Sequence, residues 1–217
     1  MTFHDHRFLS QPNAVFDEND CRAQMTVKTL LRVLSHRYID RDLRNGPFPL
    51  QLTDFHASNL FVDDQWNVTA LIDLEWLCAL PPEMLDVPYW LTGCAIDGIK
   101  GDKFGPFDQI RQEFLQVFEE EEEQATKANT NTWDGRTISK IMQDVWQTKG
   151  VWFWHCLSSV NAMYILLEAH LVPTLSVEEE RLISKFWCQD SGDVVQKKVA
   201  DREVYDEELR SLFGKNE

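Results

Sequence analysis

Oxygen-bearing side chains fall at spacings that suit a divalent cation in one short segment of the sequence. Asp54 stands on a polar loop, Asn59 follows five residues later, and Asp73 comes directly after an apolar run. One carboxylate and one amide oxygen that converge on a point can hold a hard cation such as Mg²⁺, which keeps several of its waters. We therefore predict a metal site formed by Asn59 and Asp73, with Asp54 facing the same point.

A β-hairpin is the element that would bring these side chains together. Two apolar runs, residues 60–62 and 68–72, flank a short polar stretch that is typical of a turn. If the runs pair antiparallel, Asn59 and Asp73 meet at the open end of the hairpin, because opposed residues in such a ladder lie ~5 Å apart. The apolar residues 48–52, ahead of the polar loop, are predicted to be a strand or extended chain.

A loop Asp, an Asn five residues later and a metal-binding Asp after a hairpin form the phosphoryl-transfer arrangement of protein kinases. The runs Leu-Thr-Asp-Phe-His-Ala-Ser-Asn and Ile-Asp-Leu-Glu-Trp resemble the aminoglycoside phosphotransferase family, which shares the kinase fold with choline kinases, and most closely its fungal members. The resemblance is densest from about Pro12 to Gly93. It implies that Asp54 is the catalytic base, that Asn59 and Asp73 bind Mg²⁺, and that ATP donates its γ-phosphoryl group to a small-molecule hydroxyl.

Some positions depart from the family pattern. Leu52 stands where many relatives have His, and Leu74 follows Asp73 where protein kinases have Gly. Only 53 residues precede Asp54, with no glycine-rich loop and no Val-Ala-Ile-Lys-like strand, and the later glycines of residues 98–105 fit no phosphate-binding pattern. We therefore expect the C-terminal lobe of a kinase-like fold without the N-terminal nucleotide lobe. Such a chain would be weakly active or inactive alone.

The remainder of the chain indicates a mainly α protein with a small β-hairpin, of the α+β class. Residues 1–16 are predicted to be irregular, and apolar residues at helical spacing predict a helix from Ala23 to Tyr38 and further helices after about Phe107. The segment from Gly150 to Leu171 is predicted to be a buried helix rather than a membrane span, because polar residues interrupt it. We find no domain boundary, so residues 1–217 are expected to be a single domain with the catalytic loop and hairpin at 48–76.

Composition limits the classes of partner. The net charge of −15 disfavours nucleic acids and anionic membrane surfaces, which need clustered Lys and Arg. The first residues contain no apolar signal segment, and the five cysteines lie far apart, which favours reduced thiols and a cytoplasmic location. His4 and His6 are predicted to be surface histidines, and His56 is predicted to shape the loop through a hydrogen bond.

Two alternatives stay open from the sequence. The chain could be a non-catalytic, pseudo-kinase-like binding protein that uses the same cleft. It could instead be a metal-dependent hydrolase that uses Asp54 and Asp73, although such enzymes usually gather more metal-binding carboxylates or histidines. Glu75 could pair with a nearby cation or interact with the metal's waters. Neither the acceptor molecule nor the oligomeric state is specified by the sequence.

Overall fold

The structure is a computed structural model that describes residues 2–46, 48–128 and 136–214. Within these residues the chain is mostly helical and has a small antiparallel β component, so the predicted α+β class is confirmed. The chain divides into two compact units. The terminal unit consists of Met1–Arg37 and Cys156–Glu217, and the central unit consists of Tyr38–His155. Both borders fall inside or directly beside a helix, which explains why no change in composition marks them.

The α-helices of the described residues follow the predicted periodicity over most of the chain. They are α1 (Thr2–Ser10), α2 (Glu18–Tyr38), α3 (Phe104–Ala128), α4 (Ile138–Gln147), α5 (Gly150–Ser158), α6 (Met163–Leu166), α7 (Val177–Ser184) and α8 (Ser191–Phe213). Short single-turn helices lie at Ala57–Asn59, Pro82–Met84, Tyr89–Thr92, Ile96–Gly98 and Gly101–Lys103, and a π-helical turn spans Leu167–Leu171. The polar stretch predicted from residue 127 lies largely outside the described residues.

The first helix corrects the prediction of an irregular N-terminal segment. His4 and Phe8, four residues apart, lie on one face of α1, and both are buried. The residues between them are polar, so the apolar periodicity that indicates a helix is weak in this segment. The prediction that His4 lies at the surface is therefore wrong, whereas His6 is exposed. Phe8 joins one hydrophobic cluster of the terminal unit, whose buried members are Phe8, Val15, Cys21, Met25, Trp187 and Val195.

The apolar segment from Gly150 to Leu171 is helical but is divided rather than continuous. It contains α5, α6 and the π-helical turn, and it follows Lys149, whose φ of 65° ends the preceding helix. Trp152 and Phe153 are buried, as the apolar weight of the segment predicts. Within the described residues no helix has the length and apolar character that crossing a membrane requires.

Two short sheets lie next to the predicted catalytic loop, residues 53–59. Strand β2 (Leu60–Val62) pairs antiparallel with β3 (Val68–Leu71), which confirms the predicted inner hairpin. Strand β1 (Leu50–Leu52) pairs antiparallel with β4 (Leu77–Ala79) and encloses the inner pair in sequence. We call residues 50–79 the nested hairpin. The outer pair was not predicted, because β4 is three residues long and two prolines closely follow it.

Candidate functional site

The inner hairpin places Asn59 beside Asp73. Leu60 is paired with Leu71, and the backbone N–H of Ile72 donates to the carbonyl oxygen of Asn59 at 3.1 Å. The antiparallel hydrogen bonding thus extends one residue beyond both strands at the open end of the hairpin. As a result, Asn59 Nδ2 donates to Asp73 Oδ2 at 3.4 Å. The structure therefore brings together the two side chains that the sequence predicts as metal ligands.

Local hydrogen bonds fix the side chain of Asn59. This residue ends the single-turn helix Ala57–Asn59 and is 7% exposed. Its Oδ1 accepts the backbone N–H of His56 at 2.9 Å, which closes the loop on itself. An amide oxygen has two lone pairs. Oδ1 therefore retains the capacity to bind a cation while it holds the loop.

The outer strand pair places Asp54 near Glu75. Leu52 is paired with Leu77, and both the N–H and the hydroxyl of Thr53 donate to the carbonyl oxygen of Trp76, at 3.4 and 2.8 Å. The next residue on one side is then Asp54, and the next on the other side is Glu75. The sequence pattern gave no indication of this contact, since it depends on the outer pairing.

The carboxylate of Asp54 is exposed to solvent, and one of its oxygens lies within hydrogen-bond distance of His56. Its Oδ1 lies 3.2 Å from Nε2 of His56, two residues later, and more than half of its side-chain surface is accessible to solvent. His56 therefore contributes a hydrogen bond that orients Asp54, as the sequence predicts. An exposed and oriented carboxylate is suited to accept a proton from a hydroxyl group that reaches it.

Negative charge is concentrated at this end of the nested hairpin. The neighbouring charge of Asp73 raises the pKa of Glu75, a hydrogen bond between the two side chains adds to the effect, and the charge of Asp54 contributes less. Among the described residues no Lys or Arg forms an ion pair with any of these three carboxylates. Like charges held together without a counter-ion favour a cation at the same place.

The backbone of Asp73 is held in a conformation that side-chain-bearing residues seldom adopt. Its φ is 62°, in the left-handed region, where a non-glycine residue costs roughly 1 kcal/mol or more. Protein kinases have Gly at the following position, and this chain has Leu74 there. The strained residue is the predicted metal ligand itself, a pattern that is common at functional sites.

The donor set fits a Mg²⁺ ion with few protein ligands. Asp73 would supply a carboxylate and Asn59 an amide oxygen, although in this structure the amide nitrogen of Asn59 faces Asp73 and its oxygen faces the N–H of His56. Mg²⁺ commonly binds through one or two carboxylates and keeps its other waters. Within the part of the chain that the structure describes, no three His, Cys, Asp or Glu side chains are grouped to hold a metal.

Comparisons with known proteins return no relatives for this chain. No protein-family model, curated protein sequence or solved structure matches it. The functional argument accordingly rests on the sequence motif and on the geometry of the nested hairpin.

Proposed function

We propose that this chain is the metal-binding and catalytic part of a small-molecule phosphotransferase of the aminoglycoside phosphotransferase type, built as the C-terminal lobe of a kinase-like fold. The observation that supports this best is that the nested hairpin gathers Asp54, Asn59 and Asp73 at one end. The proposed reaction transfers the γ-phosphoryl group of ATP to a hydroxyl of a small molecule.

Each side chain has a distinct role in the proposed reaction. Asp54 orients the acceptor hydroxyl and takes its proton, and His56 keeps the carboxylate in position. Asn59 and Asp73 hold Mg²⁺, which when bound supplies positive charge to the phosphate oxygens. Glu75 adds a negative charge next to Asp73 and so favours a cation there.

Cellular location and partner class follow from charge and thiol chemistry. All five cysteines are free, which suits a reducing compartment, and we propose a cytoplasmic location. The net charge of −15 argues against a nucleic-acid partner. The proposed partner is a small hydroxyl-bearing molecule.

Metal binding is the first test. Mn²⁺, which electron paramagnetic resonance detects, should bind the parent chain and bind Asp73→Asn at least about tenfold more weakly, since a carboxylate ligand is lost. Asp64→Asn is the matched control, because Asp64 is an exposed acid on the hairpin turn, away from the open end. Equal Mn²⁺ affinity of Asp73→Asn and the parent would overturn the site.

Turnover is the second test. ADP formation from Mg²⁺–ATP should require an added hydroxyl-bearing acceptor, for which aminoglycosides and choline are suitable probes. When a longer chain or a partner chain supplies a nucleotide lobe, Asp54→Asn should lower kcat by roughly 10²–10⁴ while Mn²⁺ affinity is retained, because the base is not a ligand. Metal binding without acceptor-dependent turnover under that condition would support the non-catalytic binding protein instead.

A metal-dependent hydrolase remains the second candidate, and one observation favours it. The outer strand pair brings Glu75 close enough to Asp73 and Asp54 for their charges to raise its pKa, so a third acid lies near the site, although these described side chains are not grouped as three ligands of one metal. Release of inorganic phosphate from p-nitrophenyl phosphate with Mg²⁺ and no acceptor would support hydrolysis. No such release, together with acceptor-dependent ADP formation, would support the phosphotransferase.

A further inference from the structure

The terminal unit contains a cavity of a size that suits a small molecule. Its volume is about 390 Å³, within the range of small-molecule sites. Apolar side chains, among them Phe8, Val27 and Met163, form part of the wall. Polar and charged groups complete the lining, which is the usual composition of a binding site.

A buried lysine without an acidic partner lines this cavity. Lys28 is 4% exposed, and its Nζ lies 4.2 Å from the ring centroid of Phe8. It forms no ion pair or hydrogen bond with any residue that the structure describes. The nearby acids are engaged elsewhere: Asp5 pairs with Arg32 at 2.5 Å, and Asp20 accepts backbone and side-chain N–H groups.

An unpaired buried ammonium group is costly. Contact with one aromatic face only partly replaces water around it. Burial lowers the pKa of Lys28 to about 8, so the group is still largely protonated at neutral pH. An anion in the cavity would offset the cost, because a buried charge is stable only when it is paired.

A second buried group in the same wall also lacks a partner. His4 is 5% exposed, and its Nε2 donates to the carbonyl oxygen of Leu157 at 2.6 Å. Its Nδ1 is buried and has no hydrogen-bond partner among the described residues. Because Nε2 donates that bond, Nδ1 of the ring is an acceptor that no described donor satisfies.

The charge of the lining is opposite to that of the whole chain. Lys28 and Arg7 supply two cations, whereas Asp20 is the one acid among the described lining residues. Arg7 uses its Nε to bind Gln11 at 3.0 Å, and its terminal nitrogens bind no described residue. A locally positive cavity in a protein of net charge −15 points to a negatively charged occupant.

We propose that this cavity binds a small organic carboxylate with an apolar body, with the carboxylate beside Lys28 and the body against Phe8, Val27 and Met163. A monoanion fits better than a phosphate dianion, because Asp20 also lines the wall and the buried donors are few. The proposal does not depend on the phosphotransferase function, since the residues of that site belong to the central unit.

Phenylacetate and its neutral counterpart phenylacetamide test the proposal on the full chain. Calorimetry should show saturable phenylacetate binding at concentrations up to about 10 mM, and phenylacetamide should bind about 10- to 100-fold more weakly, the range for one charge-assisted hydrogen bond. Lys28→Met should remove this preference, and the exposed Lys197→Met should keep it. Absence of saturable phenylacetate binding, or an unchanged preference in Lys28→Met, would overturn the proposal.

Two measurements on the unmodified protein test the proposal without relying on the folding of the Lys28→Met variant. The methyl NMR signal of Met163, which lines the cavity, should shift on addition of phenylacetate, while that of Met142 in the core of the central unit should not. A shift of Met142 with none of Met163 contradicts the proposed location.

The second measurement is the pH dependence of affinity. Phenylacetate affinity should fall as pH rises through about 8 and Lys28 becomes neutral, whereas phenylacetamide affinity should not change. The other groups that act on Lys28 are Asp5, Asp20, Cys21 and Arg32. Burial raises the pKa of Cys21 to about 11, above this range. A phenylacetate affinity that does not vary between pH 7 and 10 contradicts the role of Lys28.

Discussion

At the scale of single residues, charges without partners mark two places in this molecule. Among the described residues, no Lys or Arg forms an ion pair with Asp54, Asp73 or Glu75, and the buried Lys28 forms no ion pair with an acid. In both cases the protein alone leaves an electrostatic cost that an ion or ligand of opposite charge would reduce. Each place therefore gives a prediction that can be tested without knowing the natural ligand.

We expect Lys28→Met to stabilise the fold at neutral pH. Burial lowers the pKa of Lys28 from 10.5 to about 8, a difference equivalent to roughly 3 kcal/mol. Below pH 8 the lysine is charged in both the native and unfolded states. The free-energy cost of burying its charge is then fully present, so the substitution increases the free energy of unfolding most in this range. Between about 8 and 10.5 the unfolded chain binds more protons than the native one, so the parent becomes more stable as pH rises.

Urea unfolding of the two proteins at pH 7 and pH 10, in carboxylate-free buffer, measures this effect. The advantage of Lys28→Met should be clearly larger at pH 7 than at pH 10. Lys197→Met, which changes an exposed lysine on the same unit, should match the parent at both values. An identical advantage at both pH values would show that Lys28 is not the cause.

The carboxyl group of Glu75 provides a direct probe of the proposed metal site. Its pKa is raised mainly by Asp73, so Asp73→Asn should return it towards the ordinary value, and bound Mg²⁺ should lower it because a cation favours the carboxylate. Because the native state holds the proton more tightly, this group makes stability fall as pH rises through the window just above its ordinary pKa.

A carbon-detected NMR titration of the Glu side chains measures the pKa of Glu75. The Asp64→Asn variant serves as the control and should leave that pKa unchanged. If the Glu75 pKa is the same in the parent and in Asp73→Asn, the two carboxyl groups are not neighbours, and the geometry of the site is wrong.

At the scale of elements, the inner hairpin is stabilised more by the hydrogen bonds of its turn than by burial of its side chains. All four residues of β3 are exposed, and a two-stranded hairpin is at best marginally stable. Asp63 holds the turn by accepting N–H groups of Gln65 and Asn67, and the hydrogen bonds from Asn67 lower the pKa of Asp63. The positions of Asn59 and Asp73 thus depend on local hydrogen bonds at the other end of the hairpin.

The turn also contains a strained residue whose replacement should strengthen the hairpin. Trp66 has a φ of 65° and is 83% exposed, so its side chain gains little from packing. Trp66→Gly should be more stable than Trp66→Ala by about 1 kcal/mol, because glycine adopts positive φ without steric cost. Alanine is the matched control, since both variants remove the indole and only one removes the strain.

Thermal unfolding of the two Trp66 variants gives the comparison. Hydrogen exchange at the amide of Ile72, which donates to the Asn59 carbonyl, reports on the hairpin itself and should be slower in the glycine variant. Greater stability of the alanine variant would mean that the turn does not hold residue 66 in the left-handed region.

At the scale of the whole molecule, the sequence offers the proposed metal site but no recognisable clamp for a nucleotide. In kinase-fold enzymes a glycine-rich loop covers the phosphates and a strand lysine holds them, and the 217 residues contain neither pattern. We therefore predict that this chain binds Mg²⁺–ATP with a Kd of about 1 mM or weaker, worth only ~4 kcal/mol.

Isothermal titration of the chain with Mg²⁺–ATP measures this affinity. Omission of Mg²⁺ should weaken binding further, because the proposed grip acts through the metal. Micromolar binding would contradict the prediction and would mean that residues outside the nested hairpin hold the nucleotide.

The sequence alone determined the helices with wide apolar stripes, the inner hairpin and the adjacency of Asn59 and Asp73. These features depend on local periodicity and on a short turn, so they can be derived from neighbouring residues. The sequence pattern failed for α1, where the buried stripe is one residue wide between polar neighbours and the contacts that bury it come from distant parts of the chain, such as the carbonyl of Leu157.

Only the tertiary structure shows which polar groups are buried away from water and which strands pair although they lie far apart in the sequence. Glu75 reaches the site through the pairing of β1 with β4, which closes a loop of more than twenty residues and has no signature in either three-residue strand. The burial of His4 and Lys28 arises where segments from both ends of the chain pack together in the terminal unit. Desolvation of a charge depends on everything that surrounds it, and so it is a property of the assembled unit rather than of the local sequence.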